Sequence, residues 1–139
     1  MTAPRPLGYW VRTVAQLIEE QFQVAAEESD LTRREWQLLN RLRIGAVAED
    51  SLRDAMAPFL DGDESLDDPL RRLTDDGLVV HQEPEYRLTD RGVERVDEVQ
   101  EIAAQRVRDQ ATDGVSEDDY QRLITTLERI ALNLGWQTE

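Results

Sequence analysis

Large apolar residues recur every three or four positions through most of the chain. Between about Pro6 and Glu28 they fall at Leu7, Trp10, Val11, Val14, Leu17, Ile18 and Phe22, with Glu19, Glu20 and Gln21 off the stripe. That period predicts an amphipathic helix. A second helix start stands at Leu31-Thr32-Arg33-Arg34-Glu35-Trp36. Thr32 can cap the free backbone N–H groups, Glu35 can close a capping box, and Leu31 with Trp36 has the spacing of a hydrophobic staple. Trp36, Leu39 and Leu42 then face a core, and the helix ends near Ile44-Gly45. Ser51 reads as the cap of a third helix carrying Leu52, Ala55, Met56 and Phe59, stopped by Pro58 and Asp61-Gly62.

In the next segment Leu66, Leu70 and Leu73 share a helical face, and Gly77 supplies the stop. Pro69 leaves two alternatives, because proline is comfortable only in a first helical turn. Either the helix is short and begins at Asp68-Pro69, or it begins at Ser65 and is distorted. Leu78–His81 and Tyr86–Leu88 read as a hairpin around Gln82-Glu83-Pro84-Glu85. Thr89 then caps a long helix with Val93, Val96, Val99, Ala103 and Val107, which Gly114 interrupts. Ser116 caps the last helix, whose stripe is Tyr120, Leu123, Ile124, Leu127, Ile130, Ala131 and Leu134, up to Gly135. The fold class expected is mainly α with a small β-hairpin wing. Three short helices before a hairpin make a winged helix-turn-helix, here flanked by helices at both ends.

Four stretches then carry a resemblance. They are Leu7-Gly8-Tyr9-Trp10, Leu31-Thr32 with Trp36-Gln37-Leu38-Leu39, Leu73-Thr74-Asp75-Asp76-Gly77-Leu78-Val79, and Leu88-Thr89-Asp90-Arg91-Gly92. In this order and spacing the chain resembles the MarR family of bacterial transcriptional regulators over nearly its whole length. The resemblance implies one domain over residues 1–139, with residues 31–91 as the winged helix-turn-helix and residues 6–30 and 92–135 as dimerisation helices. It implies a homodimer that binds double-stranded DNA at a pseudo-palindromic site, most often as a repressor released by a small aromatic effector. Residues 65–76 would enter the major groove and the hairpin the adjacent minor groove. The DNA-contacting set expected on this basis is Arg53, Ser65, Arg71, Arg72, Arg87 and Arg91. Tyr9, Trp10 and Trp36 would contribute walls to an effector pocket. The terminal helices carry continuous apolar stripes that the small central domain can hardly cover alone, which agrees with a dimer, since exposed patches of that size usually mark interfaces.

Charge complicates the picture. The 139 residues carry 30 Asp plus Glu against 16 basic residues, a formal net charge of −14, and every basic residue is Arg. From Thr32 to Leu88 there are eight Arg and thirteen acids. DNA affinity comes largely from cations displacing counterions. Yet Asp67 and Asp68 stand where the family usually places small hydroxyl residues and an Arg, and the wing tip is Glu83-Pro84-Glu85. A second reading therefore stands beside the first: a winged-helix dimer that has lost DNA reading and works as a protein-interaction or ligand-binding module.

Composition excludes much else. With no Cys there is no disulfide, thiolate zinc site or thiol redox sensor. One His, His81, excludes any site built on two histidines. The acid clusters Asp61–Asp68 and Asp113–Asp119 lack the spacing of a calcium loop, so neither metal nor cofactor is expected. No nucleophile–base pair or phosphate-binding Gly loop appears, so no catalytic residue is expected and the chain does not read as an enzyme. No apolar run approaches the roughly 18 residues of a membrane span, and no signal-peptide core follows the N-terminus. The reading is a soluble, cytoplasmic protein.

Overall fold

A computed structural model describes residues 3–138. Among them, α1 is Leu7–Glu28, α2 Arg33–Ile44, β1 Val47–Ala48, α3 Glu49–Met56, α4 Asp67–Asp75, β2 Val79–Gln82, β3 Glu85–Leu88, α5 Asp90–Ala111 and α6 Glu117–Asn133, with a 3₁₀ turn at Ala57–Phe59 after α3. This is the expected class: a mainly helical chain with a winged helix-turn-helix. The chain forms two compact units, divided inside α5 between Ala104 and Gln105.

The first unit is organised by a leucine-rich core. Leu38, Leu39, Leu52, Leu66, Leu73, Val79, Val96 and Val99 are fully buried, and Trp36 and Leu70 nearly so. α1 ends where Asp30 takes a left-handed φ of 66°, and the Leu31 N–H donates back to the Ala26 carbonyl. Asp is among the few residues that tolerate that conformation. At the start of α2 the capping box forms as the sequence predicts. The Glu35 N–H donates to the Thr32 hydroxyl at 3.2 Å, and the Thr32 N–H donates to Glu35 Oε1 at 2.8 Å. Thr32→Ala is expected to cost about 1 kcal/mol, read as a lower denaturant midpoint with an unchanged m-value.

Three local expectations need correction. Ser51 does not cap α3. The helix starts two residues earlier, at Glu49 with Ala48 before it, because Val47–Ala48 pairs as a strand and delivers the chain directly into the helix. That strand, β1, is too short to show a period. It makes the hairpin a three-stranded antiparallel sheet of order β1-β3-β2, with Val47 opposite Tyr86 and Ala48 opposite Glu85. Finally, α4 begins at Asp67, between the two anticipated starts. Pro69 thereby falls in the first turn, where backbone N–H groups have no intrahelical partner to lose. Gly77, with φ of 77°, closes α4 as the Leu78 N–H donates to the Leu73 carbonyl.

The second unit holds the end of α5 and all of α6. Gly114 takes a φ of 76° between them, and the Ser116 hydroxyl caps α6 by accepting from the Asp119 N–H at 3.1 Å. No residue of α6 is buried, and Leu123, Ile124, Leu132, Leu134 and Trp136 are exposed.

Candidate nucleic-acid interface

The elements that would meet a duplex all lie in the first unit. α4 has nine residues, about 13 Å of helix at 1.5 Å per residue. Leu66, Leu70 and Leu73 bury its inner side, which leaves Asp67, Asp68, Arg71 and Arg72 outside. The wing follows, with His81 opposite Tyr86 and Val80 opposite Arg87.

Most of the arginines on this surface have acidic partners. Arg53 Nη2 donates to Glu49 Oε1 at 3.1 Å and to Asp67 Oδ1 at 2.9 Å. Arg71 Nη2 donates to Asp68 Oδ1 at 2.5 Å, one helical turn back. Arg72 Nη1 stands 3.6 Å from Oε1 of Glu35, the one buried charged side chain among the described residues. Burying an unpaired carboxylate is costly, so Arg72 serves the α2 cap as much as any ligand. The hydrogen bond from Arg53, and after it the one with Ser65, holds the Asp67 carboxyl below its ordinary range. Asp67 therefore stays ionised through the neutral range. The same bonds, to Asp67 and then Glu49, raise Arg53.

Ser65 is exposed, and its hydroxyl accepts from the Asp67 N–H at 3.1 Å. It is spent in part on starting α4. Arg87 and Arg91 differ from the rest: both are exposed, and neither engages an acid among the described residues. Arg53 and Arg71 share a small cleft of about 230 Å³ with Asp67, His81 and Tyr86, between α4 and the wing. Arg72, Arg87 and Arg91 do not line it.

The proposed pocket residues separate. Trp36 is core, at 2 % exposure, and its edge lines an open cleft of about 710 Å³ with Ile18, Phe22, Met56, Phe59 and Gln100. Tyr9 and Trp10 lie outside it, exposed on α1 with their rings edge to face at 5.2 Å. The guanidinium of Arg5 sits over the Tyr9 ring at 4.4 Å.

Sequence reasoning missed Glu49. It seemed to precede a Ser51 cap, whereas it opens α3 and lies beside both Arg53 and the wing. The only signal was β1, two residues long. Among the described residues, no helix is long and apolar enough to cross a membrane.

No family model matches the sequence, and no curated protein does. Solved structures do match. Wild-type MarR from E. coli superposes with a TM-score of 0.68 at 17% identity, over 93% of this chain and 98% of that one. A MepR mutant from S. aureus, bound to an oligodeoxyribonucleotide, gives 0.61 at 16% identity over 94% and 99%. NadR in complex with 4-hydroxyphenylacetate gives 0.57 at 21% identity over 91% and 95%. MepR from S. aureus is a transcription regulator of the multidrug efflux pump MepA. Element order, sheet and coverage agree: the chain has the winged helix-turn-helix fold of the MarR-family regulators.

Proposed function

We propose that the protein is a homodimeric, DNA-binding transcriptional regulator, a repressor of the MarR type that works in the cytoplasm. The observation that carries this reading is a complete winged helix-turn-helix whose wing and following helix present two exposed arginines, Arg87 and Arg91, that engage no acid among the described residues. The exposed stripe Leu7, Trp10, Val11, Val14 and Leu17 on α1 supplies a surface for a second copy. Two copies would read a roughly palindromic site. The paired arginines also remain available. Exposed ion pairs are worth about 0–1 kcal/mol, so a phosphate can displace Asp68 from Arg71 or Asp67 from Arg53 at small cost. The displaced carboxylates stay near the backbone, which makes binding weak; each arginine–phosphate contact that does form makes it salt-dependent.

The cleft beside Trp36 is of a size that takes small ligands, and NadR was solved with an aromatic acid. An aromatic effector bound there would touch α1, α2 and α3 together and could reposition the reading helix.

Recovery of genomic fragments on the immobilised protein tests the proposal. Enriched fragments at about 50 mM salt, lost at about 200 mM, are expected. No enrichment at low salt contradicts it. That outcome would favour the second reading, a winged-helix dimer that no longer reads DNA. The pairs Arg53–Asp67 and Arg71–Asp68 are the observation on that side.

A further inference from the structure

We propose that Glu49, His81 and Glu83 form a binding site for a divalent first-row transition-metal ion of the zinc type. The three residues come from the start of α3, from β2 and from the wing's turn. His81 Nε2 stands 3.3 Å from Glu83 Oε1 and 3.7 Å from Glu49 Oε2. One donor atom from each of the three lies within 4.8 Å of the others. An ion held at about 2.0–2.2 Å by a tetrahedral set has its donors about 3.4 Å apart, which the two histidine–carboxylate separations already match. Closing the third side needs only rotation of Glu83, whose side chain is 79% exposed.

A second observation points to a ligand. His81 Nε2 is shielded from solvent and makes no hydrogen bond, although two carboxylates face it. A ring nitrogen shielded from solvent with no hydrogen bond is uncommon, even in a side chain that is otherwise 28% exposed. The surroundings hold these groups in position. The imidazole stacks on Tyr86 with centroids 4.1 Å apart and planes 9° from parallel, and the two residues are cross-strand partners. Glu49 Oε1 accepts from Arg53 at 3.1 Å, which leaves Oε2 turned to the histidine. The Glu49 N–H donates to the Pro84 carbonyl at 2.9 Å, fastening α3 to the turn that carries Glu83. Outer partners of this kind set ligand orientation in metal sites. One imidazole and two carboxylates suit a borderline cation such as zinc or manganese, with water at the remaining positions. Calcium prefers six to eight oxygen ligands, which this set does not offer. The expectation of no metal site rested on a single His and on acid clusters contiguous in sequence. This set joins His81 and Glu83, two residues apart on the wing, to Glu49, which the β1–β3 pairing brings alongside from far off in sequence. The proposal stands independently of DNA binding.

Because the chain has one histidine, the imidazole proton resonances of the untagged protein report on this site alone. One equivalent of Zn²⁺ is expected to shift them, and substoichiometric Mn²⁺ to broaden them. Calorimetry should give one Zn²⁺ per chain. Glu49→Gln and Glu83→Gln should each weaken it at least about tenfold, while Asp63→Asn, in the exposed acidic loop, should leave it unchanged. The proposal is overturned if Zn²⁺ leaves the ring resonances in place, or if both glutamine variants keep wild-type affinity.

Discussion

Gly92→Ala is expected to destabilise the winged unit by about 3 kcal/mol or more, at the upper end of overpacking costs. A Cβ on Gly92 would lie 2.1 Å from the Leu78 carbonyl oxygen and 3.0 Å from its carbon, with Leu88 Cδ2 at 3.3 Å. The obstacle is backbone, and it is held in place. The Leu78 carbonyl accepts from the Thr89 N–H at 3.0 Å, while the Thr89 hydroxyl donates to the Gly77 carbonyl at 2.6 Å and accepts from the Gly92 N–H at 3.0 Å. Moving Leu78 breaks this junction; moving α5 withdraws Val96 and Val99 from the core. A loss of this size is a large share of the roughly 5–15 kcal/mol that hold a domain together. Gly114→Ala is the comparison. Its φ of 76° disfavours a side chain, but nothing lies within 4 Å, so only about 1 kcal/mol of conformational cost is expected. Denaturant unfolding of both variants checks the difference. Similar midpoints would show that the contact at Leu78 is not decisive.

The double variant Trp10→Asp, Leu17→Asp is expected to convert a dimer into monomers. Leu7, Trp10, Val11, Val14 and Leu17 are between 49% and 53% exposed along one face of α1. A contiguous stripe of such residues is unusual on a monomer surface. The few central hot spots of an interface, Trp prominent among them, each cost about 2 kcal/mol or more when removed, and charges placed there cost at least as much. Two aspartates there should raise the dimer dissociation constant about a thousandfold. Neither residue belongs to the core of the first unit, so folding should survive. Sedimentation equilibrium checks the mass, and circular dichroism the helix content. A wild-type monomer at micromolar concentration would remove the basis for a two-fold site.

The parts of the fold that were legible in the sequence have local causes. The α2 start is written in Thr32 and Glu35, the α4 stop in Gly77, and the starts of α5 and α6 in Thr89 and Ser116, each through one or two hydrogen bonds near in sequence. What was not legible depends on distant partners. β1 exists because Val47 and Ala48 find the free edge of β3, and that pairing moves the α3 start away from Ser51. The candidate interface divides in the same way. Arg87 was readable as an exposed wing residue because a short strand alternates its faces. Which carboxylate Arg53, Arg71 and Arg72 would choose was not readable. Asp67 reaches Arg53 across two helices, and Glu35 draws Arg72 from a third. Likewise, Trp36 lines a cleft and Tyr9 and Trp10 do not, a division set by packing that residue type does not record.

The proposed function requires that arginines at α4 and the wing hold a phosphate backbone among so many acids. The most direct measurement is the salt dependence of affinity for a recovered genomic fragment, taken on the wild-type protein and on Asp67→Asn, Asp68→Asn. Removing two carboxylates from the outer side of α4 should tighten binding about tenfold or more at about 100 mM salt. The slope of log affinity against log salt should also steepen, as Arg53 and Arg71 are freed to displace counterions. Binding that is absent in both proteins, or that neither tightens nor steepens in the variant, would contradict the account.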